Sequence, residues 1–425
     1  SRLFFLSACN TPKCTMAETD HNRPTTAYLT IGFLLFLALA GNLIANGKPL
    51  YCRIAGETFW PGLRGMWQSP DIPFEHPVLD SIRVYNLWKT FPYDKAVFAP
   101  IAFSPGEIIR KPAADLVHPG TIHPGLPDRF RHWLGTDARG RDVAAGLVSG
   151  ARVAVLTGVT AMSMAMGIGL FLGALAGFWG DERLRIRRGR LWMSLLALPV
   201  AWFYAFIARQ YILSSEGTPT EFLKSLAVFA GIVVLFNLFG ALLSRFPFWG
   251  REIKIAADLI IMRLAELFNS IPRLIFIIVV AAMMPKGQSI WLMIALIGAM
   301  SWTSVARFVR AELLRIRELD YISAARGLGF PEMRVLWRHA LPNALRSTMI
   351  IFAIGVGEAI LLEAALSFLG FGGEDLRGKS WGSLFSGARS NPMAWWVTIP
   401  PGFAICLTVL ALNSIGEALS NKRRD

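Results

Sequence analysis

The chain has 425 residues, of which 54% are hydrophobic and 17% are charged, and its formal net charge is +14. A soluble protein would carry about a quarter charged residues, and here the apolar residues fall into long blocks. This composition excludes an ordinary soluble protein and predicts an all-α polytopic membrane protein. The arginines lie in short segments between the blocks rather than in a basic stripe, so we expect contact with membrane lipid and no nucleic acid.

Eight apolar blocks are each long enough, at about 1.5 Å per helical residue, to cross a hydrocarbon layer of roughly 30 Å. In chain order they are residues 27–46, 152–179, 191–213, 222–243, 255–284, 290–309, 345–371 and 395–419.

Basic residues assign each connection between these blocks to one side of the membrane. Arginines are frequent in residues 181–190, 244–254 and 307–346, whereas 214–221 and 285–289 are nearly free of basic residues. Arginine-rich connections stay in the cytoplasm, and alternation through eight spans then places both termini there as well.

The stretch from residue 47 to 149 is rich in Pro, Trp and charge, and it follows the first span. We predict an ordered but irregular extracytoplasmic region. His118 and His123 stand beside prolines without a nearby Cys or carboxylate, so we interpret them as turn residues. The four cysteines also lack metal-ligand spacing, and we expect no metal.

One motif suggests a nucleotide site. Gly373, followed after four residues by Gly378-Lys379-Ser380, matches the pattern of a phosphate-binding loop. Such a loop needs a strand before it and a helix N-terminus after it, but here an apolar helix precedes it and the predicted topology places it outside. We therefore expect no nucleotide at this motif.

The cytoplasmic connection 310–347 is charged and yet patterned like helices. Asp320 is a suitable cap for a short helix over 321–328, which Gly329 would end. Pro331 would begin a second helix, and Leu341-Pro342 would break it before the next span. Two interpretations are open: an amphipathic surface helix resting on lipid, or a docking element for a cytoplasmic partner.

At these residues the chain resembles the permease subunits of ATP-binding-cassette (ABC) importers. Their cytoplasmic loop has the signature Glu-Ala-Ala, three residues, Gly, nine residues, then two residues and Leu-Pro. Ala324-Ala325, Gly329 and Leu341-Pro342 fall at these spacings. Ser323 replaces the Glu, and His339 stands where an aliphatic residue is common.

Further segments resemble the C-type subunit of dipeptide and oligopeptide permeases. The matching segments are Leu134-Gly135-Thr136-Asp137, Gly140-Arg141-Asp142, Gly150-Ala151-Arg152, residues 363–372, Ser380-Trp381-Gly382 and residues 401–419. The departure is an insert at about 182–251, which adds two apolar segments. We expect these inserted helices to face lipid and Arg209 to extend to the interface.

The resemblance implies a six-span permease core with two inserted spans. The predicted organisation is a cytoplasmic tail (1–26), a first transmembrane helix (27–46), an extracytoplasmic region (47–149), and a permease domain (150–425) with the insert at 182–251 and a coupling loop at 310–346. The location it implies is the bacterial inner membrane.

The resemblance also implies a non-catalytic transport subunit for peptides, without catalytic residues or a bound cofactor. ATP and Mg would bind two cytoplasmic ATPase subunits, and a second permease subunit and an extracytoplasmic solute-binding protein would complete the assembly. The residues implied to form the ATPase-coupling loop are Asp320, Tyr321, Ser323, Ala324, Ala325, Arg326, Gly329, Arg334, His339, Leu341 and Pro342. Ala324 and Ala325 would fit an ATPase groove, while Arg326, Arg334 and Arg338 would pair with its acidic residues.

Ionisable residues within spans face a partner or a pathway, because a charge in lipid is costly. Glu358, Glu363 and Glu417 are such residues. For Glu363 we expect a structural role between helices rather than contact with solute. We interpret Trp395 and Trp396, at the outer start of the last span, as interface anchors.

The alternative function is a secondary transporter or channel that does not use ATP. Such a protein would couple through intramembrane ions and commonly shows internal repeats. It would have no need of the cytoplasmic signature loop.

Overall fold

The computed structural model describes residues 23–67, 74, 76–108, 116–122, 127–180, 185–215, 219–283, 289–372, 379–389 and 391–421. The described helices are α1 (Arg23–Ile44), α2 (Pro61–Trp67), α3 (Pro77–Val84), α4 (Val143–Ala174), α5 (Arg188–Trp202), α6 (Gln210–Ser215), α7 (Pro219–Leu243), α8 (Ala257–Ser270), α9 (Arg273–Met283), α10 (Ile290–Ile316), α11 (Asp320–Gly327), α12 (Glu332–Val335), α13 (Leu341–Leu369), α14 (Trp381–Phe385) and α15 (Trp395–Asn421). The described strands are β1 (Tyr51–Ile54), β2 (Glu57–Phe59), β3 (Lys95–Val97), β4 (Arg185–Arg187) and β5 (Glu252–Lys254).

Long apolar helices dominate the described part of the chain. Seven of the described helices are long and apolar enough to cross a membrane, and the bent pair of α8 and α9 gives an eighth if it is counted as one span. In lipid a backbone must satisfy its own hydrogen bonds, so long apolar stretches become helices. The predicted fold class, an all-α polytopic membrane protein, is confirmed.

The chain divides into two compact units. The first comprises Ser1–Leu170, Phe268–Phe308 and Pro342–Asp425, and the second comprises Phe171–Leu267 and Val309–Leu341.

The first unit has a core shared by α4, α9, α10 and α13. The buried side chains of this core are Val153, Ala161, Ile277, Ile290, Met293, Ile294, Ile297, Met300, Ala359 and Leu366. Glycines allow the helices to approach closely: a Cβ at Gly169 of α4 would lie 2.5 Å from Cβ of Val305 on α10. Close approach of this kind is typical of helices packed in membranes, where small residues take the place of a hydrophobic driving force.

The region after α1 also belongs to the first unit and is more regular than its sequence predicts. Strands β1, β2 and β3 form an antiparallel sheet in the order β2-β1-β3, with Cys52 opposite both Phe59 and Ala96. Ala55 and Gly56 both have positive φ (50° and 85°), as the two-residue turn between twisted strands requires. The expectation of an irregular region is therefore wrong for these residues.

The second unit contains the two inserted helices. Helices α5 and α7 pack together at two glycines, since a Cβ at Gly189 would lie 3.0 Å from the Gly240 carbonyl oxygen. Arg209 donates to the Glu221 carboxylate over 2.7 Å. Glu221 lies in the first turn of α7, so Arg209 pairs with the end of the second inserted helix, and its extension to the membrane interface stays a prediction.

The second unit also carries the end of α10 and the short helix α11. Arg310 forms a bidentate ion pair with Asp258. A Cβ at Gly177 would lie 2.7 Å from the Arg310 carbonyl oxygen. These contacts hold α10 at the point where the chain leaves it for α11.

Candidate functional site

The segment Asp320–Trp337, which we call the coupling segment, begins with the two-turn helix α11. Ile322 and Ala325 are the buried residues of this helix. Asp320 is its first helical residue, and the cap position belongs to Leu319, which has no polar side chain. The prediction that Asp320 caps the helix is therefore wrong by one position, although its carboxylate still lies at the positive end of the helix dipole.

Helix α11 ends in a glycine-dependent turn. Gly329 has a φ of +80°. Its N–H donates to the Arg326 carbonyl over 2.9 Å, and the N–H of Phe330 donates to the Ala325 carbonyl over 3.3 Å. This pair of bonds is a Schellman motif, in which a left-handed residue satisfies the last carbonyls of a helix. Gly329 therefore fixes the direction in which the chain leaves α11.

The outward side of the coupling segment carries several large apolar side chains. Leu328 is 76% exposed and Trp337 is 63% exposed, and Tyr321 and Met333 are exposed as well. Ser323 and Ala324 also lie on the exposed side of α11. Large apolar side chains grouped on a short, internally packed segment are typical of an interaction surface.

Two residues predicted to contact a partner are instead used within the chain. Ala325 is buried, so only Ala324 of this pair is exposed. Arg326 pairs with Glu332 at 3.1 Å, and its guanidinium lies 5.5 Å from the centre of the Phe178 ring. Both residues thus make contacts within the chain, and their contact with a partner stays a prediction.

The coupling segment continues into a long helix without the predicted break. Helix α12 is followed by a π-helical turn, Leu336–Ala340, and then directly by α13. The prediction that Leu341-Pro342 breaks the helix is therefore wrong. The wide turn lies immediately before Pro342, where the backbone must adapt to a residue that lacks an N–H.

The remaining predicted residues of this part divide between exposed and packed positions. Arg334 is exposed, with its guanidinium 5.7 Å from the centre of the Phe330 ring. His339 stacks on the same ring at 6.4 Å. Leu341 is buried at the start of α13.

A second group of predicted residues forms the loop before α4, which we call the outer loop (Gly135–Asp142). Asp137 is buried and accepts three hydrogen bonds, from the backbone N–H groups of Arg139 and Arg141, both at 2.9 Å, and from Nε of Arg141 at 2.8 Å. Gly140 has a φ of +74° and allows the chain to turn between these donors. The ion pair of Asp137 and Arg141 thus closes the loop on itself.

Asp142 connects the outer loop to helix α4 and to a buried histidine. Its Oδ1 accepts from the N–H of Ala145 at 2.7 Å, as a helix cap does, and its Oδ2 lies 2.7 Å from Nδ1 of His132. The His132 ring stacks on Phe103, with ring centres 4.1 Å apart. Nearby, burial lowers the pKa of Lys89, whose ammonium group lies 3.7 Å from the centre of that Phe103 ring.

Trp396 of α15 also packs on the outer loop. Its Nε1 donates to the Thr136 carbonyl over 3.1 Å, and a Cβ at Gly135 would lie 2.9 Å from the same nitrogen. Trp396 is buried, whereas its neighbour Trp395 is exposed. The interpretation of both tryptophans as interface anchors is therefore wrong for Trp396.

Ser380-Trp381-Gly382 also bonds and packs against other residues of the same chain. Ser380 caps α14 by accepting from the N–H of Ser383 at 3.1 Å. Trp381 is buried and donates from Nε1 to the Leu147 carbonyl over 2.9 Å. A Cβ at Gly150 would overlap the Trp381 indole, and a Cβ at Gly382 would overlap the backbone of Ala364.

In the motif that resembles a phosphate-binding loop, Gly373 and Gly378 lie outside the described residues.

The three glutamates predicted within spans have different environments. Glu363 is buried, accepts from the Ser367 hydroxyl at 2.6 Å and also bonds the Ser380 side chain, so it joins α13 to the start of α14. Glu417 is exposed near the end of α15. Glu358 accepts from Arg273 at 3.3 Å. Arg273 was not among the residues predicted from the sequence. The signal that could have identified it is a charged residue directly after Pro272, inside an apolar block.

The two histidines of the proline-rich stretch are only partly described. The His118 ring lies 4.8 Å from the Trp396 ring, centre to centre. His123 lies outside the described residues.

Comparison with known proteins finds a family match and several relatives. Residues 237–425 match the family described as binding-protein-dependent transport system inner membrane component. The chain is 27% identical over 414 residues to an inner membrane ABC transporter permease protein of Escherichia coli K12, which covers 95% of this chain and 94% of the relative.

Two further relatives are similar over a shorter part of the chain. An oligopeptide transport system permease protein of Haemophilus influenzae is 26% identical over 289 residues, which is 68% of each chain. A glutathione transport system permease protein of Pectobacterium atrosepticum is 28% identical over 289 residues, covering 68% of this chain and 70% of the relative.

These matches agree with the many-span helical fold and favour the ABC importer over the alternative of a secondary transporter or channel. Members of this family are non-catalytic, multi-pass proteins of the inner membrane that work with separate ATPase and solute-binding proteins. The match to the binding-protein-dependent transport system inner membrane components covers residues 237–425, and together with the relatives it supports the function of a permease subunit of an ABC importer.

Proposed function

We propose that this permease carries peptides or peptide-like solutes and that its coupling segment is the surface on which an ATPase subunit docks. The observation that carries the docking proposal is the exposed apolar side of that segment, with Leu328 at 76% and Trp337 at 63% exposure. The segment is anchored within the chain, because its Ile322 is buried and its Arg326 is paired with Glu332.

Burial of the apolar side chains would supply most of the docking free energy. Removing a leucine-sized side chain from water contributes about 1.5–3 kcal/mol. The exposed Arg334 and Arg338 would add ion pairs with acidic groups of the ATPase, but an exposed ion pair contributes only about 0–1 kcal/mol. Ala324, also exposed, would let the groove approach the backbone of α11. The fit of apolar side chains into a groove would therefore dominate.

The solute class is supported by the relatives. One is named for oligopeptide transport and another for glutathione transport, and glutathione is itself a small peptide. The resemblance of the outer loop and of Ser380-Trp381-Gly382 to peptide permeases supports the same class.

The composition and orientation of the assembly follow from this proposal. One copy of this chain would pair with a second, related permease subunit, two cytoplasmic ATPase subunits and one extracytoplasmic solute-binding protein. ATP and Mg would bind the ATPase subunits, and this chain would bind no cofactor of its own. Both termini and the coupling segment would lie in the cytoplasm, where the arginine-rich connections belong.

The docking surface can be tested with the double variant Leu328→Asp, Trp337→Asp. We expect loss of co-purification with the ATPase subunits of the same transport system and loss of ATP-dependent peptide uptake, because two charges would enter an apolar contact. The quantity of chain in the membrane should stay unchanged, since both side chains are exposed.

The matched control is Tyr85→Asp, which changes an equally exposed aromatic residue in the region after α1. It should leave ATPase binding intact. Normal co-purification of the double variant would show that the ATPase docks elsewhere.

A further inference from the structure

A polar cluster lies within the spans of the first unit, on helices α9, α10 and α13. The Arg273 guanidinium donates to the Glu358 carboxylate over 3.3 Å and to the Ser304 hydroxyl over 2.8 Å. The neighbouring residue of α10, Thr303, donates from its hydroxyl to the side-chain oxygen of Asn269 on α8 over 3.2 Å. Glu358 lies near the middle of the 29-residue helix α13, so the cluster lies well inside the spanning part of the chain.

The accessible charge of this cluster is mainly negative. The Glu358 side chain is 57% exposed, while that of Arg273 is 27% exposed and has two acceptors around it. A carboxylate facing lipid at the centre of a span costs at least about 2.5–3.5 kcal/mol. This face of α13 therefore meets water or protein rather than lipid.

A break in the adjacent helix independently indicates water or a partner protein at the same depth. Residues Ile271 and Pro272 separate α8, which ends at Ser270, from α9, and both are exposed. Non-helical backbone at membrane depth is tolerated only where it is buried in protein or lines a water-filled cavity. Because Arg273 follows the break and pairs with Glu358, the break lies level with the middle of α13.

We infer that Arg273 and Glu358 line the solute pathway and that Glu358 selects for peptides that carry a cationic side chain. This inference rests on the proposed transport of peptides. Arg273, fixed by Ser304, orients the Glu358 carboxylate and leaves more than half of that side chain open to a passing ammonium or guanidinium group. Arg273 is thus a positioning residue, and Glu358 is the residue that contacts solute.

The test uses the complete transporter reconstituted in liposomes, with its solute-binding protein and ATP. Uptake is measured for three tripeptides that differ only in the central residue, which is Lys, Gln or Glu. The rate of each variant is divided by the rate of the unmodified transporter for the same peptide, so that selection by the binding protein cancels.

For Glu358→Gln we expect the Lys peptide to lose about tenfold in uptake rate, the size of effect expected from one charge-assisted hydrogen bond. The Gln peptide should change less than about twofold. Glu358→Asp should restore most of the preference for the Lys peptide, and Glu358→Lys should reverse it in favour of the Glu peptide.

The matched control is Glu417→Gln, which neutralises another exposed carboxylate within a span without touching the cluster. It should change all three rates equally. Equal loss for all three peptides in Glu358→Gln, or weaker co-purification with the second permease subunit, would assign Glu358 to structure or to the subunit interface and overturn the inference. If the unmodified transporter takes up none of the peptides, the proposed function itself fails.

Discussion

The outer loop and the coupling segment both carry motifs typical of the family, but they use them in opposite ways. In the outer loop the motif residues bond within the chain: Asp137 with Arg141, and Thr136 with Trp396. In the coupling segment the largest apolar side chains, Leu328 and Trp337, point out of the chain. The motif of the outer loop is thus used for bonds within the chain, whereas the motif of the coupling segment lies among large exposed side chains, and burial distinguishes the two segments.

Two glycines, Gly150 and Gly329, are needed for different physical reasons. Gly150 of α4 has no room for a side chain, because the Trp381 indole occupies that space. Gly329 in the coupling segment has no described neighbour within 4 Å of a built Cβ, and it is needed for its φ of +80°. The first glycine is required by packing and the second by backbone conformation, so substitutions at them should differ greatly in cost.

The largest expected effect is that of Gly150→Val. The new side chain would overlap a buried tryptophan, and overlap with a rigid ring costs more than the usual range of about 1–3 kcal/mol for overpacking. We expect little folded protein, measured as the monodisperse fraction in size-exclusion chromatography after extraction in detergent.

Gly167→Val in the same helix is the control, because a Cβ at Gly167 meets no described atom within 4 Å. It should give a normal yield. Equal yields from both variants would show that the contact between α4 and Trp381 does not limit folding.

Removal of the carboxylate in Asp137→Ala should have the next largest effect. It leaves Arg141 buried without its acidic partner, and breaking a buried pair costs about 3–5 kcal/mol. The free energy of unfolding in detergent micelles, followed by tryptophan fluorescence, measures this loss.

Asp80→Ala removes a partly exposed carboxylate that also pairs with an arginine, Arg83, at 2.8 Å. The hydrogen bond from Arg83 lowers the pKa of Asp80, but solvent screens the pair, and we expect a much smaller loss than for Asp137→Ala. Similar losses for the two variants would remove the distinction between a buried and a surface ion pair.

Sequence predicts the spans well because membrane burial depends on local composition. The first span was expected at residues 27–46, and helix α1 runs Arg23–Ile44. The end of α11 was also predictable, since Gly329 supplies a local backbone signal. Both features depend on residues that are neighbours in the chain.

Long-range contacts explain what sequence did not predict. Trp395 and Trp396 are identical in type, yet only Trp396 reaches Thr136, 260 positions away. Arg273 and Glu358 are 85 positions apart. Nothing local to either residue identifies its partner, because the partner is set by which faces of the helices meet.

The smallest predicted effect compares two glycines of the coupling segment that are only two positions apart. Gly329→Ala forces a left-handed conformation on a residue with a Cβ, which costs about 1–2 kcal/mol. Gly327→Ala, in the last helical position of α11, should instead stabilise by about 0.5–1 kcal/mol, because alanine loses less backbone entropy in a helix. Hydrogen exchange at the Phe330 N–H, which donates to Ala325, reports the local opening of this turn. Exchange should become faster in the first variant and slower in the second. A change of the same sign in both would mean that the left-handed turn does not determine the shape of the docking surface.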